Sequence, residues 1–190
     1  MIANQLLMNS QTAQVLSESE LSNQFLGDAI EICIVTRDYR RTMEGLVRLG
    51  IGPWRVYTFG PETLSEQTYM GEPAEFSIRI CFAQAKNVIW EIMQPLSGPT
   101  IFQDFLDKHD EGIHHIAFNC EDKPWEERLQ EFQARGFRLI QSGNWQGKNV
   151  FAFFGTEDAT TTIFETYLFA SDFEYPEPEE WFPAPPPAVQ

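Results

Sequence analysis

Residues 29–35 read Ala-Ile-Glu-Ile-Cys-Ile-Val and residues 113–119 read Ile-His-His-Ile-Ala-Phe-Asn. In the first, Ile30, Ile32 and Ile34 alternate with Glu31, Cys33 and Val35, the period of a strand with two unlike faces. The second reads as another strand. Asp38 follows the first as a helix cap, the helix runs through Arg48, and Leu49-Gly50 stops it. Asp122 follows the second in the same way, with a helix over 123–135 ended by Gly136. Asp38 and Asp122 lie 84 residues apart, and Gly50 and Gly136 lie 86 apart.

After each helix come three strand-like stretches. In the first half they are 54–59, 76–83 and 88–93, with 60–73 as a loop carrying Pro61, Gly71 and Pro73. In the second they are 137–141, 149–154 and 162–168, with turns at Gly143, Gly147 and Gly155. The pattern is βαβββ, twice. It predicts an α+β fold in which paired modules, 29–96 and 112–170, form an open, curled, eight-stranded cleft with the helices on the outside.

The ends differ from this body, 29–171. Residues 1–28 read as a loose N-terminal arm rich in Gln, Asn and Ser. Residues 172–190 form an acidic tail holding 6 of the 12 prolines, extended because proline lacks the donor that sheet or helix needs. The tail reads as a strap that packs Trp181 and Phe182 on the body, with an SH3-type ligand as the alternative.

The 190 residues carry 13 Lys+Arg against 28 Asp+Glu, a net charge of −15, and every base lies within 29–171. Such a surface repels phosphate backbones and anionic lipid, so neither nucleic acid nor membrane is expected as a partner. No basic start followed by an apolar stretch opens the chain, and no apolar run nears the ~20 residues of a membrane span. Cys33, Cys81 and Cys120 are odd in number and set in apolar runs, which fits buried thiols in a reducing cytoplasm. Motifs for a nucleophile elbow, a phosphate loop or a dinucleotide are absent from the sequence.

Four charged or titratable groups stand inside strand-like runs, where a bare carboxylate would be costly to bury. They are Glu31, Glu91, His115 and Glu165. Two occupy the first strand of a module and two the last, so an approximate two-fold would bring all four to one point. Three carboxylates cannot converge without a cation or bound protons, and a divalent metal resolves the repulsion. Strand alternation turns His114 away from His115. His109 reads as an exposed loop residue. On the third strand of the first module, alternation places Ser77, Arg79 and Cys81 toward the cleft and Ile78, Ile80 and Phe82 toward the core. Trp54, Tyr57, Tyr69, Trp90, Phe153 and Tyr167 would supply aromatic lining.

The stretch Trp90-Glu-Ile-Met-Gln-Pro-Leu96, then Phe102 to Leu106, then Gly112-Ile-His-His-Ile-Ala117 resembles the vicinal oxygen chelate superfamily, the glyoxalase and methylmalonyl-CoA epimerase relatives. The resemblance covers roughly residues 29–170. It implies metal ligands at Glu91, His115 and Glu165. Glu31 stands where the family usually has His, so it is either a fourth ligand or a free proton-transfer base. A set of three carboxylates and one imidazole favours Mn, Fe, Mg or Co, with Ni and Zn also open. Near Arg79 the epimerases carry their catalytic Glu. An Arg there can grip an anionic oxygen or bridge to the convergent glutamates, but cannot act as base.

The function implied is a divalent-metal-dependent isomerase, epimerase or lyase acting on a small oxygenated substrate, carbonyl or carboxylate, through an enolate-like intermediate. The alternatives are a metal-free small-molecule binding protein of the same fold and an extradiol-type dioxygenase. The family also implies a homodimer.

Overall fold

β1 (Asp28–Val35) and β7 (Gly112–Asn119) run antiparallel side by side, and everything else is arranged about that seam. The computed structural model describes residues 25–119 and 123–187. After β1 come α1 (Tyr39–Arg48), β2 (Trp54–Phe59), β3 (Leu64–Tyr69), β4 (Glu72–Pro73), β5 (Ser77–Gln84), β6 (Ile89–Ser97) and α2 (Ile101–His109). After β7 come α3 (Trp125–Ala134), β8 (Leu139–Trp145), β9 (Asn149–Phe154), α4 (Glu157–Thr160), β10 (Ile163–Phe169) and β11 (Glu180–Phe182).

Asp38 caps α1, its carboxylate accepting from the Arg41 N–H at 3.0 Å. The helix stops at Leu49, where Gly50 takes a φ of +85° that residues with a Cβ rarely adopt. The helix expected after β7, α3, begins at Trp125 with Pro124 in the cap position and no side-chain cap. Asp122 and Cys120 lie outside the described residues, as do the first 24 residues of the arm. Phe25 packs edge-on to Phe132, which in turn lies flat on Phe154 at 3.9 Å.

All strands join one curled mixed sheet in the order β11-β2-β5-β6-β1-β7-β10-β9-β8-β3-β4. In each half the last strand runs parallel to the first, β6 to β1 and β10 to β7. The eight expected strands are present, but among the described residues the sheet has eleven. Two of the additions come from the expected loop 60–73. There Leu64 is buried opposite Trp145, so β3 crosses over and pairs with β8 of the other half. The Gln67 amide donates to the Phe76 carbonyl at 2.9 Å. Pro73 is tolerated because β4 is the sheet's edge. The third addition is β11 in the tail, antiparallel to β2 with Trp181 opposite Arg55.

β8 extends beyond the expected 137–141, and Gly143 lies inside it rather than at a turn. A Cβ at Gly143 would stand 2.6 Å from the ring of Phe151, so this glycine makes room for an aromatic side chain on β9.

The inner face of the sheet carries the main core, with Phe59, Ile78, Ile80, Trp145, Phe151 and Phe153 buried together. Under α1 lies a second cluster of Met43, Trp54, Val56, Cys81, Ala83 and Ile92, and under α3 a third of Phe132, Ala152 and Phe154. Each large apolar side chain so buried contributes about 1.5–3 kcal/mol. Not all helices lie outside the curl. α2 buries Ile101, Phe102 and Leu106 in the inner cluster, because these apolar residues share one helical face. Cys33 and Cys81 are free thiols, both buried. Among the described residues no helix is long and apolar enough to cross a membrane.

Candidate functional site

Strand register brings the four singled-out residues together. Cys33 lies opposite Glu91 on one side and His115 on the other, while His115 lies opposite Ile163. Two residues along, Ala117 lies between Glu31 on β1 and Glu165 on β10. The pleat points both rows to the inner face. Glu31 therefore corresponds to His115, Glu91 to Glu165, and the small residues Cys33 and Ala117 to each other. The small pair leaves space between the long side chains.

Ligand atoms of Glu31, Glu91, His115 and Glu165 all lie within 4.8 Å of one another, and Cys33, Glu91 and His115 form a second such group. All five residues are buried. His115 Nε2 is 3.1 Å from Glu91 Oε2 and 3.2 Å from Glu165 Oε2. The hydrogen bond goes to Glu91, leaving Glu165 Oε2 buried without an aligned donor. An orphaned carboxylate oxygen in a converging set of three acids and one imidazole fits a hard divalent cation.

With protons alone the site reaches neutrality only by large shifts. Burial, then the charges of Glu91 and Glu165, push the Glu31 carboxyl well above its ordinary range. Burial pushes Glu165 up to about 7, against the pull of its contact with His115. Burial would depress His115, but its contacts with Glu165 and Glu91 overcome this and raise it to about 9. The Cys33 thiol is pushed well up by burial and then by Glu91, which keeps it uncharged.

His114 does not point away from His115. Between Cys33/His115 and Ile34/Ile113 the β1–β7 register slips by one residue, and this bulge leaves His114 unpaired in the ladder. Its Nδ1 lies 2.7 Å from His115 Nδ1. Phe102 and Phe105 of α2 pack edge-on against its ring. Burial and then His115 hold His114 well below its ordinary value, so it is neutral, while His115, raised to about 9, carries a proton on both nitrogens and donates its Nδ1–H to His114. That bond fixes the His115 ring with Nε2 directed at the carboxylates.

Arg79 is not in the site. The face assignment on β5 is the reverse of the one expected: Ile78, Ile80 and Phe82 line the inner cavity, while Cys81 packs under α1. Arg79 shares the Cys81 face, where it pairs with Glu179 at 2.5 Å and lies over the Tyr39 ring. The alternation on β5 holds, but the cleft wall is its apolar side, so the side carrying Ser77 and Arg79 turns away from the cavity. Of the expected aromatics, Phe153 and Tyr167 line the cavity. Trp54 and Trp90 pack in the cluster under α1, and Tyr69 donates to Asp104 at the surface. Tyr57 packs on Trp145 in the inner core. His109 pairs with Glu157.

The cavity itself measures about 30 Å³. Glu31, Glu91 and Glu165 form its polar end, and Phe59, Phe102, Phe151 and Tyr175 are among its apolar walls. Sequence reasoning overlooked Cys33, Phe102 and Tyr175. Cys33 was readable as two residues from Glu31 on one strand face, but Phe102 and Tyr175 reach the site only through tertiary packing.

The model of the Glyoxalase/Bleomycin resistance protein/Dioxygenase superfamily matches residues 31–154, from Glu31 to the end of β9. The chain belongs to this superfamily. Among solved structures, a hypothetical protein from Bacillus halodurans C-125 superposes with a TM-score of 0.58 at 22% identity, covering 78% of this chain and 98% of that one. Methylmalonyl-CoA epimerase from Mycobacterium tuberculosis gives 0.53 at 18% identity over 76% and 90%. A Streptomyces coelicolor methylmalonyl-CoA epimerase variant in complex with 2-nitronate-propionyl-CoA gives 0.51 at 16% over 77% and 99%. These likenesses establish the shared fold. An uncharacterized Bacillus subtilis protein, YqjC, is 35% identical over 75 residues, which are 40% of this chain and about half (52%) of that protein.

Proposed function

We propose that this superfamily member is a divalent-metal-dependent isomerase or lyase that moves a proton on a small oxygenated substrate. The observation that carries the reading is the convergence of Glu31, Glu91, His115 and Glu165 at the polar end of an otherwise apolar cavity. Glu91, His115 and Glu165 would hold the ion, His115 through Nε2. A bound divalent ion supplies Lewis-acid polarisation of a substrate oxygen.

The remaining work falls to the chain. Glu31, the remaining carboxyl of the converging set, is the group placed to take and return the substrate's proton. The aromatic walls exclude water, which strengthens each charge interaction inside. His114 keeps His115 oriented. The fold-level likeness to the epimerases agrees with proton transfer beside a carbonyl, without naming the substrate.

A metal-free binding protein is the second reading, supported by the ability of Glu31, Glu165 and His115 to neutralise one another by sharing protons. Extradiol-type oxygen chemistry suits two imidazoles and one carboxylate, and the four-residue set offers a single imidazole.

The test is metal analysis of protein purified without chelator or added metal, alongside Glu91→Ala and His115→Ala. Near-stoichiometric Mn, Fe, Co, Ni or Zn in the wild type, lost in both variants, is expected. A wild type that holds no metal and binds none on titration with Mn²⁺, Co²⁺ or Zn²⁺ leaves the binding-protein reading.

A further inference from the structure

Cys33 and Ala117 occupy corresponding places in the two halves, each between two inward-facing residues of the neighbouring strands, and both are fully buried. The second half fills its place with a methyl group. Packing there asks only for a small side chain, so the sulfur of Cys33 is surplus to what packing requires. Across β6, β1 and β7 the strand partners Glu91, Cys33 and His115 form one row in register. Their ligand atoms lie within 4.8 Å of one another. The thiol is near enough to Glu91 to hydrogen-bond it. Glu165 Oε2, buried without an aligned donor and 3.2 Å from His115 Nε2, points independently to an ion at this place.

The cluster thus offers two ligand sets. Both use Glu91 and His115, and one is completed by Glu165, the other by Cys33. Because they share two residues, they hold one ion at a time. Glu165 completes a hard set suited to Mn²⁺ or Mg²⁺. Cys33 completes a set of sulfur, nitrogen and oxygen, the donor types of zinc sites that keep a fourth position open. A thiolate and a carboxylate also match the two charges of the ion, with the imidazole neutral. Glu91 and Glu165 line the cavity, whereas Cys33 does not. The other described thiol, Cys81, packs in the apolar cluster under α1.

We propose that Cys33 is a zinc ligand, giving this site a second, zinc-selecting mode that competes with the binding of a hard ion. This rests on the reading above that the cluster binds a divalent metal. As the sulfur–zinc bond forms, the thiol proton leaves to solvent.

The test is titration of the full-length protein with Co²⁺, a spectroscopic stand-in for zinc, followed by absorption. A thiolate ligand gives a sulfur-to-cobalt charge-transfer band in the near ultraviolet, which carboxylates and imidazole do not. The band is expected in the wild type, in Cys81→Ala and in Cys120→Ala, and is lost in Cys33→Ala. Cys33→Ser, closer in volume, gives the same reading if the alanine variant does not fold. In competition dialysis Cys33→Ala is expected to weaken Zn²⁺ by about tenfold or more, the least that loss of even an outer-shell partner costs a metal site, and to spare Mn²⁺. Glu165→Gln is expected to do the reverse, weakening Mn²⁺ more than Zn²⁺. Co²⁺ bound without the band, a band that survives in Cys33→Ala, or equal loss of Zn²⁺ and Mn²⁺ in that variant overturns the proposal and leaves the metal reading standing. A wild type that binds none of Co²⁺, Zn²⁺ and Mn²⁺ overturns both.

Discussion

The Nδ1 atoms of His114 and His115 lie 2.7 Å apart in a fully buried pair, brought there by a β-bulge that strand alternation would not place. One nitrogen must donate and the other accept. With His114 neutral and His115, raised to about 9, protonated on both nitrogens, the donor is His115, whose Nε2 faces Glu91 and Glu165.

His114 should therefore govern metal affinity without touching the metal. His114→Phe keeps an aromatic ring against Phe102 and Phe105 but removes the acceptor, and should weaken Mn²⁺ or Co²⁺ binding about 10–100-fold. His114→Gln, which restores an acceptor oxygen, should recover part of that loss. Equilibrium dialysis and the visible spectrum of the Co²⁺ form check this, and equal affinity in wild type and the Phe variant would remove the role.

Stability should fall with pH in chelated protein. Glu165 has an ordinary pKa near 4.5 and a folded value of about 7. Above 4.5 the unfolded chain sheds a proton that the folded chain retains, so stability declines until about 7 and then levels. His115 adds to this, because the stabilisation present below its ordinary 6.5 is lost as pH rises through about 9. Both slopes have the same sign. Mn²⁺ displaces those protons, so its rescue of the unfolding midpoint should be larger at about pH 8 than at about pH 6. Thermal melts with and without Mn²⁺ read both effects.

Gly143→Ala should destabilise the protein by about 1–3 kcal/mol, because the new methyl meets the Phe151 ring inside β8–β9. Chemical denaturation measures the loss. An unchanged denaturation midpoint would mean that Phe151 moves aside freely.

Arg79→Gln should leave metal content unaltered and cost about 1 kcal/mol or less, the usual scale of a partly exposed ion pair. Loss of bound metal in this variant would return Arg79 to the site.

Much of the site was legible because it rests on local periodicity. Glu31, Glu91, His115 and Glu165 are charged or titratable residues in apolar strands, and their repeat across two modules signals convergence. The paired βαβββ order was legible for the same reason, with Asp38 and Gly50 marking α1. What escaped depends on distant packing. β3 pairs with β8 because Leu64 finds Trp145, and nothing local to 60–73 announces that. Alternation on β5 separated Arg79 from Ile78, Ile80 and Phe82, but that the apolar side forms the cavity wall depends on how the sheet curls. His114 sits at a bulge, and Tyr175 belongs to a Pro-rich tail whose position depends on Arg40, Tyr57 and the free edge of β2.

The measurement closest to the central claim is an anomalous difference map from crystals of the full-length protein equilibrated with Mn²⁺. One strong peak is expected at about 2 Å from His115 Nε2 and from carboxylate oxygens of Glu91 and Glu165. A map with no peak there, or with Mn²⁺ held only at surface carboxylates, would contradict it.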